Sequence, residues 1–62
     1  MENKIRAFRK AKGMSQTELS EKLGVSQQTL SYWETGQNEP LTFNAICLTK
    51  LLGTTVEELF SP

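Results

Sequence analysis

The sequence predicts an all-α protein of five short helices. Three observations predict it. Apolar residues recur three and four positions apart, and no stretch alternates as a strand does. Two reciprocal capping boxes, Ser15 with Glu18 and Thr55 with Glu58, mark helix starts. Glycines at positions 13, 24, 36 and 53 fall where the apolar runs end.

At 62 residues the chain is read as one domain spanning 1–62. A chain this short buries only about 60% of the surface its unfolded form exposes, so its stability is small and partners help. Seven basic residues balance seven acidic ones. With no net charge to attract a polyanion, any binding rests on local distribution. Lys4, Arg6, Arg9, Lys10 and Lys12 crowd the first helix, whereas Glu57 and Glu58 stand near the other end. Cys47 is alone, which rules out an intramolecular disulfide and fits a reducing, cytoplasmic compartment. The charged start argues against a secretory leader. The longest apolar run, residues 45–48, is far too short to span a bilayer.

The first helix is placed at about residues 3–12, with Asn3 as its cap and Met1 and Glu2 as a possible extension. Ile5 and Phe8 share a face, with Ala11 nearby, and Gly13 stops it. Its basic residues also suit the negative end of the helix dipole. The second helix starts from Ser15, turns Leu19 and Leu23 inward and receives Met14 from outside. Gly24 ends it and Val25 plugs the core from the turn. Ser26 caps a third helix whose inner face carries Leu30 and Trp33 and which stops at Gly36. Pro40 holds the following loop out of helical conformation. A fourth helix is expected over 43–52, capped by Thr42 with Leu41 and Ile46 as a hydrophobic staple. The last runs from the Thr55 box through Leu59 and Phe60, and Pro62 closes the chain.

Helices at about 16–23 and 27–35, joined at Gly24, read as a helix-turn-helix. Two such helices cross at about 90–120° and approach closely, so the small Ser20 matters. Gln27, Gln28, Ser31 and Tyr32 remain on the outer side of the third helix. A glutamine amide carries a donor and an acceptor together, the fork that matches adenine N6 and N7 in the major groove. Tyr32 is placed to touch a thymine methyl or a phosphate, or to pack over the neighbouring turn. Gln16 sits at a positive helix end that favours an anion.

The run from Gly13 to Pro40 meets the pattern G-x-S-Q-x-E-L-x-x-x-L-G-V-S-Q-x-T-[IL]-S-x-W-E-x-G-x-x-x-P. It closely resembles the Cro/repressor-type helix-turn-helix family, also called the xenobiotic-response-element family. Ile5, Arg6, Phe8 and Arg9, and Leu48, Thr49, Leu52 and Gly53, fit that family's outer helices, so the resemblance covers nearly the whole chain. Ser20 and Thr49 are mild departures from it. The resemblance implies a repressor-like five-helix domain that binds double-stranded operator DNA, often as a homodimer on a pseudo-palindrome. It implies base contacts from Gln27, Gln28, Ser31 and Tyr32, and a phosphate contact from Gln16. It also implies a pair, Arg9 and Glu34, bridging the first and third helices. Ser26, Arg6, Lys10, Gln37 and Asn38 are further candidates for the DNA backbone, although Gln37, Asn38 and Glu39 stand where many relatives carry lysine or arginine.

Helix four is apolar on two sides. Ala45, Leu48, Thr49 and Leu52 cluster on one, Phe43, Cys47 and Leu51 on nearly the opposite one. A helix of this kind is usually covered on both sides. Either the fifth helix folds over part of it, or Phe43, Cys47 and Leu51 form a dimer seam. Without histidine, the commonest general base is absent, and no triad, metal cluster or phosphate loop is legible. The function expected is therefore a DNA-binding regulator, with no catalysis, cofactor or metal. The alternative is an antitoxin or co-regulator that uses the same fold to hold a protein partner.

Overall fold

A computed structural model describes residues 3–61. Five helices follow in order: α1 (Ile5–Ala11), α2 (Gln16–Leu23), α3 (Gln27–Thr35), α4 (Thr42–Leu52) and α5 (Val56–Phe60). The expected extension into Met1 and Glu2, and the closing Pro62, lie outside the described residues.

Each helix sends at least one apolar side chain to a common centre. Ile5, Leu19, Leu30, Trp33, Leu48, Leu52 and Leu59 form the core, with Phe8, Met14, Leu23, Val25, Leu51 and Phe60 packed partly against it. Removing such side chains from water contributes about 1.5–3 kcal/mol apiece. The Cα radius of gyration is 10.1 Å, close to the roughly 10.6 Å expected for a tightly folded chain of this length.

Caps account for the boundaries. The Ser15, Ser26 and Thr55 hydroxyls accept from the amides of Glu18, Thr29 and Glu58. The Glu58 carboxylate accepts from the hydroxyls of Thr54 and Thr55 at 3.1 and 3.4 Å. The turn between α2 and α3 needs a left-handed residue, and Gly24 supplies it at φ 74°. Its amide bonds to the Glu21 carbonyl and the Val25 amide to that of Ser20, closing α2 as the chain swings into α3. Ser20 is buried, and its hydroxyl donates to the Thr17 carbonyl at 2.9 Å.

Two helix starts differ from expectation. α1 begins at Ile5 with Lys4 as the N-cap. Asn3 stands one position further out: its Oδ1 accepts from the Ile5 amide at 3.0 Å, while its Nδ2 donates to the Trp33 carbonyl at 2.7 Å. The asparagine thus ties the chain start to the end of α3. In α4, Thr42 is already helical and Leu41 is the N-cap, without a side-chain hydrogen bond. The first turn closes when the Ala45 amide reaches the Leu41 carbonyl at 2.9 Å. That shift removes the register of the expected staple, and Leu41 is left 78% exposed.

Candidate nucleic-acid interface

α2 packs more extensively on α3 than on any other helix, which sets the N-terminal ends of both near one surface. Beneath that surface lies an ion pair. Arg9 Nε donates to Glu34 Oε2 at 2.7 Å and Arg9 Nη2 to Glu34 Oε1 at 3.2 Å. The two side chains are 9% and 2% exposed. The remaining guanidinium edge donates to the Met14 carbonyl at 2.9 Å, pinning the α1–α2 turn. Two planar groups bonded along parallel edges are the strong form of a charge pair. Removing either would leave the other buried and uncompensated.

Gln16 and Gln27 stand above this pair, at the first positions of α2 and α3. Gln16 Nε2 donates to Glu34 Oε1 at 3.3 Å, and Gln27 Nε2 donates to Gln16 Oε1 at 3.3 Å. The Thr17 hydroxyl donates to Gln27 Oε1 at 3.2 Å. Gln27 is exposed, yet its amide is held against α2. Gln28, also exposed, donates from Nε2 to the Tyr32 hydroxyl at 2.8 Å, one turn along the same helix. Tyr32 and Ser31 are half-buried.

Arg6, Gln16, Ser31 and Thr35 border a polar cleft of about 280 Å³ floored by Arg9 and Glu34. The structure thus gathers one predicted phosphate residue from each of α1 and α2, and one predicted base residue from α3, around one opening. Ser26 and Lys10 are exposed, as are Gln37 and Asn38 in the loop after Gly36. Those four do not line the cleft. On α4, Phe43 is 74% exposed, whereas Cys47 and Leu51 are half-buried and Leu51 packs against the core.

The family described as Helix-turn-helix matches residues 5–59. This chain belongs to the helix-turn-helix family. It is 35% identical over 60 residues to an uncharacterized HTH-type transcriptional regulator of Methanocaldococcus jannaschii, covering 97% of this chain and 91% of that one. A second such regulator, from Archaeoglobus fulgidus, is also 35% identical over 60 residues, covering 97% and 86%. The HTH-type transcriptional activator BcrR of Enterococcus faecalis is 34% identical over 58 residues, which are 94% of this chain and 28% of the activator. The helix-turn-helix chain therefore spans little more than a quarter of one relative and most of the other two.

Local spacing alone gives one of these contacts. Gln28 and Tyr32 are four residues apart on a helix, a distance at which side chains meet. The Gln27–Gln16–Glu34 link joins residues 11 and 18 positions apart and carries no periodic signal. Thr17 carries no sequence signal of its own, since a threonine in a helix's first turn is commonplace. Among the described residues no helix is long and apolar enough to cross a membrane.

Proposed function

We propose that this protein is a sequence-specific DNA-binding transcriptional regulator that inserts the N-terminal end of α3 into the major groove. One observation carries the reading: two exposed glutamine amides, Gln27 and Gln28, stand side by side at the start of α3, each with hydrogen-bonding capacity left over. A bidentate amide–adenine pair discriminates against other bases by about 1–3 kcal/mol. Ser31 and Tyr32, one turn on, extend the base-facing strip. Arg6 and Gln16 at the cleft, together with the exposed Ser26, Lys10, Gln37 and Asn38 outside it, take the phosphates and set the register of the helix on the duplex.

The regulator acts in the cytoplasm as a repressor, because occupying a promoter suffices to block it and requires no second activity. It catalyses nothing. It binds a pseudo-palindromic operator as a homodimer, with two recognition helices roughly 34–36 Å apart. The exposed Phe43 belongs to the dimer face, with Cys47 and Leu51 behind it. A second reading, a module that holds another protein, is favoured by the apolar side chains that α4 and α5 leave uncovered: Leu41, Phe43, Ile46 and Val56.

Selection from randomised duplex DNA tests the proposal. A defined motif should be enriched, and affinity for it should fall with salt by about 0.9 log units per log salt for each phosphate neutralised. Binding without any motif, or without salt dependence, would favour the protein-holding reading.

A further inference from the structure

The polar side chains above form a row from the interior through Gln27 at the start of α3 and back to α2: Arg9, Glu34, Gln16, Gln27, Thr17. Each neutral member of the row is ambivalent. A hydroxyl either donates or accepts, and an amide offers either end after half a turn of its last torsion. Only the charged inner pair has no choice, since a guanidinium donates and the carboxylate bonded to it accepts. The direction of every hydrogen bond in the row is therefore decided at Glu34.

Because Glu34 accepts, Gln16 must face it with nitrogen, which turns the Gln16 oxygen toward Gln27. Gln27 then answers with its own nitrogen, and its oxygen turns to the Thr17 hydroxyl. With those bonds made, Gln27 retains one N–H and one acceptor position, in a fixed order. Adenine presents N7 as acceptor and N6–H₂ as donor, also in a fixed order. With the amide reversed, the oxygen would oppose N7 and the two acceptors would repel.

We propose that Glu34, which reaches no base, is a positioning residue that fixes the orientation of the Gln27 amide and so its preference for adenine. This rests on the DNA-reading function proposed above. A glutamine not held in this way must be ordered and turned as it binds, which lowers the preference about threefold to tenfold.

The probe is duplex DNA of randomised sequence, selected in parallel by the wild type, Gln27→Ala, Gln16→Ala and the double variant Arg9→Met with Glu34→Leu. The position whose preference disappears in Gln27→Ala is the base pair that Gln27 reads, and adenine should be enriched there by the wild type. Gln16→Ala cuts the row at a half-exposed residue, and the double variant replaces the buried pair with apolar side chains of similar volume, a change folds often tolerate. Each should lower the adenine preference at that one position threefold to tenfold, with relative preferences at other positions unchanged, whatever uniform loss of affinity Gln16→Ala brings. A merely structural role for Glu34 would not move one base preference alone.

A measurement on the wild type covers the case in which the double variant fails to fold. Nitrogen relaxation of side-chain amides should find those of Gln16 and Gln27 nearly as rigid as the backbone, and that of the exposed Gln37 mobile. A Gln27 amide as mobile as that of Gln37, or an undiminished adenine preference in Gln16→Ala or in the folded double variant, overturns the assignment. A wild type that enriches no motif overturns the DNA-reading function and the inference with it, a result the variants cannot mimic.

Discussion

The α2–α3 face and the α4–α5 face are built from opposite materials. On the first, exposed polar side chains are bonded to one another and, through Gln16, to a buried ion pair. On the second, Leu41, Phe43, Ile46 and Val56 lie in the open, and Pro40, Ala45, Ile46 and Phe60 help line a shallow groove of about 340 Å³. Polar groups that lose no freedom on binding read a pattern well, because little ordering remains to be done. Apolar groups left in water gain by being covered, whatever covers them, since burial is non-directional. On the function proposed above, selectivity belongs to the polar face and added stability to the apolar one.

The largest break in that contrast comes from Glu34→Ala. It strands the Arg9 guanidinium in the interior and should cost about 3–5 kcal/mol. For a domain of this size that lowers the melting midpoint by more than about 12 °C, measurable by circular dichroism. A shift of only a few degrees would show that water reaches the pair and that the polar face lacks its rigid base.

Gln28→Ala probes the outer layer of the same face. Discrimination at one base pair should weaken by about 1–3 kcal/mol, read by competition between operator variants, with folding stability unchanged to within about 0.5 kcal/mol. If every operator variant bound as it does to the wild type, Gln28 would not be a base reader.

Arg6→Ala should act uniformly across sequences. The slope of log affinity against log salt should flatten by about 0.9, one phosphate's share. An unchanged slope would remove Arg6 from the interface.

The smallest effect on folding is expected at the apolar face. Phe43→Ser should leave the stability of the isolated subunit within about 0.5 kcal/mol of the wild type, yet reduce self-association in sedimentation. Unaltered sedimentation would place the dimer contact elsewhere.

Much of the scaffold was legible in the chain because its signals are local. The Ser15, Ser26 and Thr55 caps and the stops at Gly24, Gly36 and Gly53 are settled within a turn of backbone, and the helices begin and end there. The start of α4 misled for the same reason. Thr42 has the right side chain for a cap, but the helix begins one residue earlier and the exposed Leu41 takes the position. The candidate interface was legible as a set of residues and not as a set of bonds. Nothing in the spacing of Gln16, Thr17 and Gln27 shows that the amide of Gln27 is held by the helix before it.

By itself the sequence determined where the helices lie, which faces turn inward, and that glutamines would stand at the start of the third. Hydrophobic periodicity, caps and glycine stops act over three or four residues and need no knowledge of the rest of the chain. Tertiary structure decided that Gln16 meets Glu34, 18 positions apart, and Asn3 the Trp33 carbonyl, 30 apart, whereas the Arg9–Glu34 pair, 25 apart, is one that the family resemblance implies. Hydrogen bonds fail beyond a few tenths of an ångström of misplacement, so these pairings wait on the angles at which whole helices pack.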